Sequence, residues 1–325
     1  MPNRDILVLG ASAGGVQALS QVVHGFPADL PAAVFVVLHI AAHGTSAMPN
    51  ILSRVGPLPA VHPRDGETID CGKIYVAPPD HHLIVERGRV RLSRGPSENS
   101  YRPAVDVLFR TAANSYGNRV VGAVLTGNLD DGTAGLAAIK KHGGVAVVQD
   151  PETADYPGMP ASAMAFVDVD HVVPLDNIAA LLAALAQETV EDHPPEDEES
   201  EDMKEELERG ADREPGEVPS GFTCPECGGA LWESQADQLI HFRCRTGHAY
   251  APESLLASQF DSLEATLWAA VRALEENASL ARRMERWMEG RGNTSGKSRY
   301  DRRAREAEGH AEALRRLLVE EHVKV

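Results

Sequence analysis

The sequence predicts a doubly wound α/β domain with a mostly parallel sheet over residues 1–187, then a small metal-binding module and an α-helical hairpin. Short runs of Val, Ile and Leu recur at Ile6–Leu9, Val34–Leu38, Lys73–Val76, Val120–Leu125 and Val145–Gln149, and the stretches between them have helical spacing. Uniformly apolar runs of this length suit strands buried on both faces, and intervening helices are what joins parallel strands. A second observation divides the chain. Between Glu191 and Glu217 stand 14 acidic and 3 basic residues, a net −11 out of −17 for the whole chain. Such a stretch cannot bury enough apolar surface to offset its conformational entropy, so residues 188–220 read as an acidic, disordered linker.

At 325 residues the chain has room for more than one domain, and 43% hydrophobic residues is ordinary for a globular protein. No segment approaches the ~20 apolar residues of a membrane span, and the N-terminus lacks a signal-peptide pattern, so membrane insertion is not expected and the cytoplasm is the expected compartment. The negative charge argues against a nucleic-acid partner. Of the four cysteines three cluster late, which is not a disulfide framework.

The first strand breaks into Gly10-Ala11-Ser12-Ala13-Gly14-Gly15, and a helical pattern follows with Val16, Leu19, Val22 and Val23. Gly10-x-Ser12-x-Gly14 has nucleophile-elbow spacing, in which glycines permit a sharp turn that exposes the serine hydroxyl. A phosphate-binding turn shares this context but requires G-x-G-x-x-G; a tight turn without chemistry is the third alternative. The second strand ends at His39. The strand Val120–Leu125 ends in Thr126-Gly127-Asn128-Leu129-Asp130-Asp131-Gly132, with a helix expected from about Thr133, where either aspartate taken alone reads as a helix N-cap.

Taken together these residues mean more. In open parallel sheets, ligands and catalytic groups gather outside the carboxyl ends of the strands. A serine, a histidine and an aspartate at three such ends are the residue types of a hydrolytic triad, in which the imidazole takes the serine proton and a carboxylate holds the imidazole. The chain order Ser…His…Asp differs from that of α/β-hydrolases, so this would be a separate arrangement.

Residues 1–187 resemble the catalytic domain of the chemotaxis protein-glutamate methylesterase (CheB) family. The resemblance rests on Gly10-Ala11-Ser12-Ala13-Gly14-Gly15, Leu38-His39, Ile74-Tyr75-Val76-Ala77-Pro78-Pro79-Asp80-His81-His82, Arg102-Pro103-Ala104-Val105-Asp106-Val107-Leu108-Phe109, Leu125-Thr126-Gly127 with Asp131-Gly132, and Gly158-Met159-Pro160, in the family's order. It implies a flavodoxin-like, Rossmann-like sheet and a serine esterase that hydrolyses glutamyl γ-methyl esters on methyl-accepting chemoreceptors, with glutamine deamidation as a related activity. By the same resemblance Ser12 is the nucleophile, His39 the base and Asp131 the carboxylate, while Asp130, where the family usually has Asn, has no catalytic role. The backbone N–H groups of Ala13 and Asn128 fall on the oxyanion hole, and no catalytic cofactor is implied. Arg102 resembles a position near the active-site mouth, where it would bind substrate or anchor its loop.

Three departures bear on activity: Ala13 where Thr or Ser is usual, Leu38 where Gln is usual, and Asn128-Leu129 where Met-Gly is common. They keep a rival reading open, a weak or inactive esterase-like adaptor. Regulated members carry an N-terminal phospho-receiver domain; this chain begins a few residues before its first strand, and that domain is expected to be absent. His81-His82 are expected in a solvated turn rather than at a metal, and Cys71 is expected to pack.

Residues 221–250 contain Cys224, Cys227, Cys244 and His248, a C-x₂-C-x₁₆-C-x₃-H pattern. Two ligand pairs on tight turns suit a zinc-ribbon-like module with a structural, four-coordinate zinc. A redox C-x-x-C and metal-free reduced thiols are the alternatives. In residues 251–325 apolar side chains recur at helical spacing from Leu255 to Met288 and, after a Gly/Ser/Asn turn at 290–298, from Tyr300 to Leu318. This pattern predicts an antiparallel hairpin or coiled coil, with a surface available for a second copy or a signalling partner.

Overall fold

A computed structural model of the chain describes residues 2–40, 46–191, 217–236 and 239–321. It divides into two compact units, Met1–Leu255 and Leu256–Val325. Most of the segment read as an acidic linker lies outside the described residues.

In the first unit the chain runs β1 (Ile6–Ala11), α1 (Gly15–His24), β2 (Ala33–Leu38), α2 (Met48–Val55), β3 (Ala60–Val61), β4 (Ile74–Val76), then a hairpin of β5 (His82–Glu86) and β6 (Arg89–Ser93). It continues through α3 (Val105–Tyr116), β7 (Val120–Val124), α4 (Thr133–Lys141), β8 (Val145–Gln149), α5 (Gly158–Phe166), β9 (His171–Val173) and α6 (Leu175–Leu185). Seven strands form one sheet in the order β3-β4-β2-β1-β7-β8-β9, and every pairing is parallel. The five apolar runs of the sequence all lie in it. The short edge strands β3 and β9 have no comparable run, since an edge strand is less enclosed, and β5, although buried from His82 to Val85, carries only the three-residue run Leu83-Ile84-Val85.

Side chains alternate between two cores. Leu7, Leu9, Val34 and Val36 meet Leu19, Val22, Leu52, Ile178 and Leu182 from α1, α2 and α6. Ile6, Val8, Phe35 and Val37 meet Leu108, Phe109, Leu136, Ile139 and Met159 from α3, α4 and α5. Full burial contributes roughly 1.5–3 kcal/mol for each such side chain, so the central strand β1, all six residues of which are buried, cannot shift without large loss. The residues that follow it are therefore placed rigidly.

Residues beyond the acidic stretch complete the first unit. The strands β10 (Val218–Thr223), β11 (Ala230–Ala236), β12 (Leu239–Cys244) and β13 (Ala249–Tyr250) make an antiparallel sheet in sequence order. Its core is small: Cys224, Leu231, Phe242, Cys244, Tyr250 and Leu255. The helix α7 (Pro252–Glu289) begins here and continues into the second unit, where α8 (Thr294–Glu321) follows it. In that unit Arg282 pairs with Asp301 and Glu308, and Arg315 with Glu275, so the two helices run antiparallel as the periodicity predicts. The second helix starts before Tyr300 because Asn293 accepts a hydrogen bond from the Gly296 N–H through Oδ1, which lets the turn close early. Among the described residues no helix is long and apolar enough to cross a membrane.

Candidate active site

Three strand ends are sewn together by backbone hydrogen bonds. Leu125 N–H donates to Gly10 O at 2.9 Å, Ser12 N–H to Thr126 O at 3.0 Å, and His39 N–H to Ala11 O at 3.1 Å. Because β2, β1 and β7 are parallel neighbours in register, their carboxyl ends emerge side by side, followed by His39, Ser12 and, after Leu125, Thr126-Gly127. Thr126 Oγ1 donates to Ala13 O at 3.1 Å and accepts from Tyr156 N–H at 2.9 Å, tying the serine turn to the turn after β7.

Two glycines make the serine turn possible. Gly14 has φ +74°, in the left-handed region that costs an L side chain about 1–2 kcal/mol. At Gly127 a Cβ would stand 2.9 Å from Ser12 Cβ and 2.1 Å from Met159 Sδ, so only glycine lets the β7 turn lie against the serine. Ala13 lies in the turn after β1, and Asn128 is exposed in the turn after β7. Leu129, in place of the glycine common in the resembled family, takes φ +64°.

His39 Nε2–H donates to Asp131 Oδ2 at 2.6 Å, and both side chains are nearly inaccessible. The other ring nitrogen, Nδ1, is buried and without a hydrogen-bond partner among the described residues. Asp131 thereby holds the imidazole in the tautomer whose basic nitrogen is Nδ1. The carboxylate itself is enclosed by donors: Val105 N–H reaches Oδ2 at 2.7 Å, and Asp106 N–H and Asn99 Nδ2–H reach Oδ1 at 3.1 and 2.9 Å. The two amides belong to the first turn of α3, where unpaired N–H groups and the helix dipole favour an anion. Burial alone would raise the Asp131 pKa; His39 and these donors outweigh it and bring it down to about 2. Beside it, Asp106 is pushed well above the usual carboxylate range by burial, then by the charges of Asp131 and Glu98. Its Oδ1 accepts from Gly132 and Gly135 N–H at 3.0 and 2.6 Å, which fixes the start of α4 and with it the Asp131 backbone.

Sequence reasoning missed three residues here. Tyr101 stacks flat on the His39 ring, with centroids 3.7 Å apart and planes at 7°. Asn99 and Asp106 support Asp131. All three lie in or near the Arg102–Phe109 block, but nothing local distinguishes a buried Asn or Asp from a turn residue. Arg102, by contrast, is turned to its own loop. Its Nε donates to Asp80 Oδ1 at 2.9 Å, its Nη2 pairs with the same carboxylate, and its Nη1 donates to Gly95 O at 2.6 Å. Of the two roles expected for it, the geometry is that of a loop anchor. Asp130 is also engaged elsewhere, accepting from Glu253 N–H at 3.0 Å and from the Ser254 hydroxyl.

Two smaller expectations are corrected. His82 is not in a solvated turn: it begins β5, is 1% exposed, and bonds through Nε2 to Pro96 O at 2.9 Å. Cys71 does not pack but is exposed, because it sits in the turn leading into β4 rather than in the strand.

A second cluster lies in the four-stranded sheet. Cys224, Cys227, Cys244 and His248 place their ligand atoms within 4.8 Å of one another. Cys227 and Cys244 sulfurs are 3.6 Å apart, and His248 Nδ1 is 3.6 and 3.5 Å from Cys224 and Cys244 Sγ. A tetrahedral zinc at ordinary bond lengths sets S···S at about 3.8 Å and S···N at about 3.6 Å, so the donor set fits one ion. His248 Nε2 faces Glu226 Oε2 at 3.3 Å, the carboxylate partner that metal-binding imidazoles commonly carry.

Comparison with known proteins bears on the first part of the chain. The model of the family described as CheB methylesterase matches residues 7–182. A Leptospira interrogans protein, provisionally named as a protein-glutamate methylesterase/protein-glutamine glutaminase, is 38% identical over 58% of this chain and 98% of its own length. The Anaeromyxobacter dehalogenans protein-glutamate methylesterase/protein-glutamine glutaminase 2 is 38% identical over 56% of this chain, which spans only 54% of that protein. The catalytic domain of the Thermotoga maritima CheB methylesterase superposes with a TM-score of 0.54 at 33% identity, over 56% of this chain and 98% of that domain. With a seven-stranded sheet of the same fold, a matching family model over more than half its residues and a relative spanned almost end to end, the chain belongs to the CheB methylesterase family.

Proposed function

We propose that this chain is a serine carboxylesterase that hydrolyses glutamyl γ-methyl esters of chemoreceptors, with Ser12 as nucleophile, His39 as general base and Asp131 as the carboxylate that orients it. The observation that carries the reading is the buried His39–Asp131 pair at 2.6 Å, with Nδ1 left as the basic nitrogen, beside a rigid Gly-x-Ser-x-Gly turn. His39 Nδ1 takes the Ser12 proton as Oγ attacks the ester carbonyl. The oxyanion is met by the Ala13 and Asn128 N–H groups, where one preorganised donor contributes about 3–4 kcal/mol to the transition state. The protonated imidazole gives its proton to the departing methanol. Water, deprotonated by the same nitrogen, then hydrolyses the acyl-enzyme to free glutamate. A glutamine side-chain amide at the same carbon would lose ammonia by the same steps.

The reading places the enzyme in the cytoplasm with the cytoplasmic segments of chemoreceptors as its protein substrate, and gives catalysis no cofactor. Arg102 has no substrate role in it. The sheet β10–β13 is read as a zinc ribbon, with Cys224, Cys227, Cys244 and His248 holding a structural zinc. Four protein ligands leave no open position for chemistry.

The test is methanol release from methylated receptor cytoplasmic fragments by wild type and Ser12→Ala. Loss of release in a folded Ser12→Ala protein is the expected outcome; equal rates would remove Ser12 as nucleophile, and no release by either would favour the adaptor reading. Metal analysis of the purified chain, with Cys224→Ser beside it, tests the zinc: about one equivalent in wild type and none in the variant.

A further inference from the structure

We propose that the Cys/His module is a clamp on the catalytic carboxylate, with Asn99 as the positioning residue through which metal binding sets the turnover of Ser12. The proposal deepens the esterase and zinc readings and rests on both.

The clamp is a continuous set of hydrogen bonds within the first unit. The segment 97–99 meets the module through a single parallel bridge between Glu98 and Ala249: Ala249 N–H donates to Ser97 O at 3.3 Å and Asn99 N–H to Ala249 O at 2.8 Å. Ser97 Oγ donates to Glu226 at 2.6 Å, and Glu226 is the carboxylate that faces His248. Ala249 directly follows His248. The ligand set and the segment carrying Asn99 are therefore fixed by the same few bonds.

Asn99 connects the two sides with one side chain. It is 2% exposed and its three bonds leave its amide only one orientation. Oδ1 accepts from Ala251 N–H at 2.8 Å, on the module side. Nδ2 donates to Asp131 Oδ1 at 2.9 Å and to Asp106 Oδ2 at 2.9 Å, on the catalytic side. Its φ of +53° lies in the left-handed region, which Asn tolerates better than most side chains. Two residues on, Tyr101 covers His39. Asp130, next to Asp131, meets the module as well, through Glu253 N–H and Ser254. The carboxylate that orients the base is thus held partly by a module with a six-residue core, two of them metal ligands. A core so small needs a metal or a crosslink to stay ordered. Losing the metal frees Ala251, then Asn99, then one of the donors that fix Asp131.

The test uses the full chain with zinc bound and after chelation under reducing conditions. Stripping zinc is expected to lower kcat on methylated receptor fragments by about tenfold, the scale of one lost hydrogen bond to the carboxylate, with KM changed less than twofold. Zinc-loaded Asn99→Ala should show the same loss, and stripping zinc from it should cost less than a further twofold. The low-field proton resonance of His39 Nε2–H, read without substrate, should be sharp in zinc-loaded wild type and broadened in both other forms. Undiminished kcat and an unchanged His39 resonance after stripping would overturn the proposal, as would losses that multiply in the stripped variant. If zinc-loaded wild type releases no methanol, the esterase reading fails, and the His39 resonance alone decides the clamp. Should Asn99→Ala fail to fold, Ser97→Ala cuts the link to Glu226 while leaving Asn99 in place: a threefold or greater fall in kcat at constant KM supports the clamp, and full wild-type kcat counts against it.

Discussion

Asp131 shows how strongly a few donors act on one buried charge. Its pKa falls from 3.8 to about 2 despite complete burial. A depressed carboxylate stabilises the fold above its unfolded pKa, and that contribution is lost as pH falls; here the window runs from about pH 4 down to about 2 and involves roughly 2–3 kcal/mol. Across the working range Asp131 therefore stays ionised, and an acid-side fall in kcat/KM between pH 5 and 8 must come from another group. Asp131→Asn is expected to cut kcat by about three orders of magnitude, because an amide at that place does not fix the tautomer in which Nδ1 is basic; methanol release by a folded variant checks this. Tyr101 acts by packing. An aromatic pair contributes about 0.5–1.5 kcal/mol beyond area, so Tyr101→Ala should lower kcat about three- to tenfold while Tyr101→Phe, which keeps the stacked ring, should stay within twofold of wild type.

The strand ends and helix starts convert such residues into a site. Gly127 is the tightest point: a methyl group there collides with Ser12 and Met159. Gly127→Ala should cost about 1–3 kcal/mol of stability from overpacking and displace the serine, visible as a lower thermal midpoint together with at least a hundredfold loss of methanol release. The start of α7 is a second such point. Ala251, at its N-cap, has no side-chain acceptor, and the second helical N–H, that of Glu253, is satisfied instead by Asp130. Asp130→Ala leaves it unmet and should cost about 1 kcal/mol, a drop of roughly 2–4 °C by calorimetry. Burial raises the Asp130 pKa in spite of those bonds, so the neutral Asp130→Asn should be milder than Asp130→Ala.

At the scale of the whole molecule, the sequence determined the sheet, the serine turn, the residue after each strand and the grouping of Cys224, Cys227, Cys244 and His248. These are legible because each is local: a strand buried on both faces is uniformly apolar, a left-handed turn favours glycine, and two ligand pairs sit on tight turns. The antiparallel helices of the second unit were legible for the same reason, their apolar spacing being a property of one segment at a time. What only the tertiary structure decided is which polar side chains serve the site. Asn99, Tyr101 and Asp106 carry no local mark, because a buried hydrogen bond is defined by partners 7 to 152 residues away. Arg102 and Asp130 looked like site residues or helix caps by position; their partners make one a loop anchor and the other the cap of a helix more than a hundred residues later. The path from His248 to Asp131 exists only once the chain has folded, since it alternates between segments that are distant in sequence and become hydrogen-bonded neighbours only in the packed structure.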